Sequence, residues 1–168
     1  MRGLTVVFDL DGTLVDTAPD LVRCTNYALR SGGFEAVDAA QVYGAISHGA
    51  RAMIEAGLKA QGIQRSPAEV GALFERFIAH YEATISQESR PFPNLERTLD
   101  ALQAGGAKIA VCTNKLEGLS RRLLDDLELT ARFHAIAGRD TYPYSKPDPR
   151  HLLSTIAAAG GEPRRAVL

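Results

Sequence analysis

The sequence predicts an α/β protein built on a parallel sheet, and three observations carry that prediction. Short apolar, β-branched runs alternate with amphipathic segments along residues 1–15 and 90–168. The stretch 16–89 interrupts the alternation with helical patterns only. Two acids, Asp9 and Asp11, stand directly beyond the first apolar run, at the carboxyl end of a strand, where ligands bind in open parallel sheets. Strand–helix alternation suits a Rossmann-like parallel sheet core, because parallel neighbours need a crossover long enough for a helix.

The elements follow in order. Leu4, Thr5, Val6, Val7 and Phe8 read as a buried strand that meets a polar, glycine-containing turn at 9–13. Leu21, Val22, Ala28 and Leu29 then mark one face of a helix, with Pro19 near its start and Gly32-Gly33 at its end. Asp38 with Gln41 resembles a capping box for a shorter helix. Ala50, Met53, Ile54 and Leu58 mark a third helix, closed by Gly62. Ser66 and Glu69 form a second capping box, with Pro67 at the first helical position. Val70, Leu73, Phe74, Phe77, Ile78 and Tyr81 follow at steps of three and four, the most regular amphipathic pattern in the chain. Residues 16–89 therefore read as an inserted all-helical cap, and Arg90-Pro91-Phe92-Pro93 as the return linker. A helix over 94–104, a strand over 107–112 announced by Gly105-Gly106, and a leucine-rich helix over 116–127 come next. A weaker strand over 133–137 and a helix over 149–159 follow, and residues 165–168 begin another strand.

Composition excludes several classes. The chain has 168 residues, too few for an eight-fold β/α barrel, while 45% hydrophobic and 23% charged residues suit a folded core. Nineteen basic residues against 20 acids lack the footprint of a nucleic-acid binder. Cys24 and Cys112 lie far apart with no CxxC, so no disulfide framework or zinc site is indicated. The N-terminal apolar run is too short for a signal-peptide core, and no run approaches the ~20 residues that span a bilayer. The expected setting is cytoplasmic, with no membrane or nucleic-acid partner.

The sharpest chemical feature is Asp9-Leu10-Asp11-Gly12-Thr13. Two acids one residue apart would share a face if the strand continued, but Gly12 suggests a turn that re-aims the second. Clustered carboxylates without basic neighbours repel each other unless a cation or a shared proton compensates. Thr113 and Asn114 end the second strand just before a helix, where a hydroxyl and backbone amides suit a phosphate oxygen; both are equally ordinary helix N-cap residues. Lys146, fixed by Pro147 ahead of a helix, could place its ammonium at a phosphate or carboxylate, although a lone lysine reads as well as a surface residue. His80, His134 and His151 read as structural, while His48 and Arg51 in the insert are candidates to touch substrate. Cys112 reads as a small core residue, because no histidine lies near it in sequence.

Together these motifs resemble the haloacid dehalogenase superfamily of phosphohydrolases. Its DxDGT after strand one, hydroxyl residue ending the next strand and lysine after a later strand are matched in order by Asp9, Asp11, Thr113 and Lys146. The wording DLDGTLVDTAPDL, the helical insert and the later KPDP are most similar to the phosphoglycolate phosphatase group. The resemblance implies that Asp9 attacks phosphorus to form an aspartyl phosphate, and that Asp11 is the general acid and base. It implies that Thr113, Lys146 and the amides of Gly12 and Asn114 hold the phosphoryl group. It also implies Mg²⁺, bound by Asp9 and the Asp11 main-chain carbonyl, and a small phosphorylated substrate, 2-phosphoglycolate foremost. Another phosphatase or a sugar-phosphate mutase of the same superfamily is the alternative. A fourth motif, acids after strand four, is expected to complete the metal site, yet no acid follows Arg165-Ala166-Val167-Leu168. The resemblance thus implies a core that is incomplete at its C-terminal end, with the first strand left as an exposed edge, and a catalytically incomplete fragment as the remaining alternative for this chain.

Overall fold

The structure is a computed structural model and describes residues 1–168. The chain divides into two compact units, one formed by Met1–Asp16 with Arg90–Leu168 and the other by Thr17–Ser89.

In the first unit, the β-branched run folds as β1, Thr5–Phe8, with Thr5 and Val7 buried and Val6 and Phe8 half-buried. The Gly105-Gly106 break ends α5, Leu95–Ala104, and releases β4, Lys108–Cys112, of which all but Lys108 is buried. Strand β5, Ala135–Ala137, and β6, Ala166–Val167, complete a four-stranded sheet of order β5-β4-β1-β6. Every pair in it is parallel, with Val7 opposite Ala110 and Val111 opposite Ile136. The crossovers include α6, Glu117–Asp126, and α7, Pro149–Ala158. Helix α7 packs Ile156 against Val7, Ala110 and Cys112 on one face of the sheet. These small and branched side chains let the helix approach closely, and their burial contributes roughly 25 cal/mol per Å² of apolar surface.

Two expectations need correction here. Strand β1 is not left as a bare edge, because β6 pairs with it at Thr5↔Ala166 and Val6↔Val167. Asp16 belongs to the sheet-bearing unit rather than to the helical insert, since β2, Val15–Asp16, pairs antiparallel with β3, Arg90–Pro91. The backbone ladder of Asp16 with Arg90 holds it there.

The second unit is helical: α1, Ala18–Ser31; α2, Ala39–Val42; a 3₁₀ turn, Tyr43–His48; α3, Ala50–Ala60; and α4, Pro67–Thr84. Its core takes Leu21, Cys24, Ala28 and Leu29 from α1, Met53, Ile54 and Leu58 from α3, and Val70, Leu73, Phe77 and Tyr81 from α4. The i, i+3, i+4 spacing of these residues produces that packing. The Ser66 box is complete: Ser66 Oγ accepts from Glu69 N and Glu69 Oε2 accepts from Ser66 N. The Asp38 box is present as well, with Gln41 Oε1 accepting from Asp38 N at 2.8 Å. No helix of the chain is long and apolar enough to cross a membrane.

Candidate active site

The carboxyl end of β1 delivers Asp9. One of its oxygens, Oδ1, accepts from Leu10 N at 2.8 Å, while Oδ2 lies 2.9 Å from Lys146 Nζ. The chain then turns: the amides of Thr13, Leu14 and Val15 all donate to the Leu10 carbonyl, and Gly12 N donates to the Val15 carbonyl at 2.9 Å. Gly12 has φ +73°, the left-handed region that a residue with a Cβ enters only with strain. This turn re-aims Asp11 toward Lys115, whose Nζ lies 3.1 and 3.5 Å from the two carboxylate oxygens.

Lys115 is a residue that sequence reasoning missed. The expectation of two acids without basic neighbours is overturned, because each carboxylate carries its own lysine, Asp9 with Lys146 and Asp11 with Lys115. The Lys115 side chain is only 5% exposed, so its charge is weakly screened and needs that partner. Its position directly after Thr113-Asn114, in the turn that faces the first strand in a parallel sheet, was the available signal.

Thr113 and Asn114 do not cap the following helix. The N-cap of α6 is Leu116, and it makes no side-chain cap bond. Thr113, 2% exposed, extends the ladder by donating its amide to Ala137 O, and its Oγ1 accepts from Lys115 N. Asn114 Nδ2 donates to the Lys146 carbonyl at 3.3 Å and so ties the loop after β4 to the loop that carries the lysine. Asn114 Oδ1 is buried without a hydrogen-bond partner. The phosphate-holding role read for the Gly12 amide meets a competitor, because that N–H already donates to Val15 O.

The surrounding loops are pinned by side-chain caps. Asp140 Oδ1 accepts from Glu117 N at the start of α6, and Thr141 Oγ1 donates to Glu117 Oε2. The Thr141 and Arg121 bonds hold the Glu117 carboxyl below its usual range. At the start of α7, Asp148 accepts from Arg150 N, and the Arg150 side chain together with that amide lowers its pKa to about 2.

His48 and Arg51 lie in the helical unit. His48 is exposed, with Nδ1 3.3 Å from Ser47 Oγ. The Arg51 guanidinium sits 5.2 Å from the Phe74 ring centroid, at the edge of a groove of about 630 Å³ also lined by Glu55, Lys59 and Arg65. Of the other histidines, half-buried His80 stacks on Tyr27, and exposed His134 has its Nδ1 3.2 Å from Ile109 N. Cys112 is fully buried as expected, but the fold brings His151 Nδ1 to 3.6 Å from its sulfur, a neighbour invisible in the sequence.

A divalent cation such as Mg²⁺ asks for oxygen donors only and keeps several water or phosphate ligands of its own. The donor set of this turn is of that kind. Asp9 is exposed on 42% of its side chain, and no backbone hydrogen bond of the turn uses the Asp11 carbonyl. No group of three or more His, Cys, Asp or Glu side chains is placed to hold a metal.

A parallel sheet whose central strand ends in lysine-paired carboxylates defines an α/β enzyme core with its working end at the strand termini. The haloacid dehalogenase-like hydrolase profile matches residues 6–168, and the chain belongs to that family. It is 44% identical over 162 residues to the phosphoglycolate phosphatase of Agrobacterium fabrum, covering 96% of this chain and 70% of that protein. It is 45% identical over 168 residues to the phosphoglycolate phosphatase of Caulobacter vibrioides, covering 100% of this chain and 71% of that one. Among solved structures, a predicted phosphoglycolate phosphatase from Haemophilus somnus superposes with a TM-score of 0.88 at 27% identity, over 99% of this chain and 76% of that one.

Proposed function

We propose that this chain is a Mg²⁺-dependent phosphatase that hydrolyses a small phosphomonoester, 2-phosphoglycolate foremost. The observation that carries the reading is the convergence of Asp9, Asp11, Lys115, Lys146 and Thr113 at the ends of β1 and β4 and in the loop before α7. The substrate assignment is supported by the two curated relatives named above.

In this reading Asp9 attacks phosphorus, the bond from phosphorus to the leaving oxygen breaks, and an aspartyl phosphate forms on Asp9. The bond from Leu10 N to Oδ1 fixes the carboxylate rotamer, so that its orientation is set before substrate arrives. Asp11 donates its proton to the leaving alkoxide. It then accepts a proton from the water that attacks the acyl phosphate, which releases inorganic phosphate and restores the Asp9 carboxylate. Lys146 offsets the charge that Asp9 and the phosphoryl group bring together, and Thr113 and Asn114 border the phosphoryl oxygens. Asp9 and the Asp11 carbonyl would hold Mg²⁺, which would supply the positive charge that lets an anionic nucleophile approach an anionic ester. The helical unit, with His48 and Arg51 in it, is the cap that selects the substrate in this reading.

The test is phosphate release from 2-phosphoglycolate and from β-glucose 1-phosphate, with and without Mg²⁺. The expected result is turnover of 2-phosphoglycolate that chelation abolishes and Asp9→Asn removes. Turnover by Asp9→Asn at the wild-type rate would sink the nucleophile assignment, and activity indifferent to chelation would sink the metal.

A further inference from the structure

Behind the carboxylate pair sits a buried imidazole that the chemistry above leaves unused. His151, on α7, is fully buried. Its Nε2 lies 3.0 Å from the Gly138 carbonyl oxygen and its Nδ1 lies 3.6 Å from Cys112 Sγ. A carbonyl oxygen can only accept, so Nε2 carries the proton and Nδ1 is left as the acceptor facing the thiol. Burial depresses the imidazole's pKa, and the nearby Lys146 charge adds to that. Burial pushes the Cys112 thiol up. The pair is therefore S–H beside neutral imidazole, not thiolate beside imidazolium. A buried protonated thiol is a poor nucleophile, so this contact is mechanical.

The three residues belong to three separate elements, each adjoining the site. Cys112 ends β4 and immediately precedes Thr113. Gly138 directly follows β5 and opens the loop that leads to Lys146. His151 lies in the first turn of α7, a few residues after Lys146. At Gly138 the two loops meet backbone to backbone: a Cβ there would come within 2.2 Å of Glu117 N and 2.7 Å of Lys115 O. Arg139 N donates to Lys115 O at 2.8 Å across the same seam. The imidazole closes this seam from the side of α7.

We propose that His151, as a neutral Nε2–H imidazole bridging Cys112 and Gly138, is a positioning residue that sets the spacing of Thr113 and Lys146. The inference rests on the reading of those two residues as phosphate ligands. Loss of both imidazole contacts lets the loops after β4 and β5 separate, and the phosphate site loosens with the overall fold intact.

Inorganic phosphate is the probe, titrated calorimetrically in Mg²⁺ buffer against wild type, His151→Leu, His151→Gln and Ile156→Val. Glutamine keeps a donor for Gly138 O, whereas leucine keeps neither contact. Ile156→Val disturbs the same helix without touching the bridge. His151→Leu is expected to weaken phosphate binding about tenfold, with His151→Gln within about threefold of wild type and Ile156→Val unchanged. Where His151→Leu does not fold, His151→Asn, which loses the Gly138 donor, takes its place with the same expectation. In ¹⁵N spectra of the wild type the His151 ring is expected to show the neutral Nε2–H tautomer at pH 6. A charged ring or an Nδ1–H tautomer overturns the proposal. So does wild-type phosphate affinity in the leucine variant, or an equal loss in Ile156→Val. Absence of phosphate binding by wild type itself, with the Nε2–H tautomer in place, fails the phosphatase reading and takes this one with it.

Discussion

Two sets of carboxylates in this protein are built on opposite plans. In the sheet-bearing unit, Asp9 and Asp11 each have one lysine, and Asp9 still exposes 42% of its side chain. In the helical unit, Asp20 exposes nothing. Its Oδ2 accepts from Ser89 N, Ser89 Oγ and Glu88 N at 2.7, 2.7 and 3.0 Å, and its Oδ1 from Arg23 at 2.5 Å. Arg23 in turn donates to the Thr84 carbonyl and lies 3.2 Å from Glu88. Asp20 thereby staples the beginning of α1 to the residues after α4. A fully buried carboxylate with both oxygens bonded to its own protein presents none of its surface to a ligand, and it works as a structural clamp. A carboxylate held at one oxygen by a lysine and at the other by its neighbour's amide is oriented but still reachable. Both sets are charged and hydrogen-bonded, so the difference that matters is how much of the oxygen is left over.

The sharpest way to break that contrast is to neutralise one member of each set. Asp9→Asn is expected to lower phosphate release from 2-phosphoglycolate by about 10⁴-fold or more, the scale on which a covalent nucleophile is lost. Its urea-unfolding free energy should stay within about 1 kcal/mol of wild type. Asp20→Ala should do the reverse to stability, costing about 3 kcal/mol in the same unfolding assay, because it leaves Arg23 and the Ser89 and Glu88 amides short of a partner. A loss under about 1 kcal/mol would mean that water replaces the carboxylate and that the clamp is not structural.

A gentler probe is acid. Burial raises the Asp20 pKa, but the bonds from Arg23, Ser89 and the two amides outweigh it, and the net value lies below the ordinary 3.8. A carboxyl depressed in the folded state contributes stability that is fully present above its unfolded pKa and is lost as pH falls through the folded value. Unfolding free energy measured downward from pH 5 should therefore begin to fall near pH 4, and Asp20→Asn should flatten that slope. An identical slope in the variant would assign the acid sensitivity elsewhere. The smallest effect belongs to a third kind of carboxylate. Glu69, exposed, bonded to the Ser66 amide and hydroxyl and 3.5 Å from Arg65 Nε, is a local helix cap. Ser66→Ala is expected to cost about 1 kcal/mol in thermal unfolding and to leave phosphate release unchanged.

The parts of this structure that were legible in advance are those written in local period and local chemistry. The β-branched run at 4–8, the 3–4 spacing from Val70 to Tyr81 and the Ser66 box each encode their element within a few residues, because strand and helix geometry repeat on that scale. The DxDGT turn is local in the same way, with Gly12 at positive φ doing what its lack of a Cβ permits. The Asp38 box is local too, and it starts a one-turn helix that passes directly into a 3₁₀ turn.

Contacts between distant residues were not legible. Lys115 meets Asp11 across 104 residues, His151 meets Cys112 across 39, and Asp20 meets Ser89 across 69. In sequence Lys115 is one more charged loop residue and Asp20 is an ordinary acid in a helix's first turn. The sequence by itself determined the strands and helices of the parallel core and the insert, though not the short β2–β3 pair, and it determined where acid, hydroxyl and lysine fall and the family to which that order belongs. Only the tertiary structure decided which lysine answers which acid and which carboxylate is closed to ligands. Charge pairing and burial depend on distance in space, which the parallel register of β1 with β4 sets for Asp11 and Lys115 and the packing of α1 beside the end of α4 sets for Asp20.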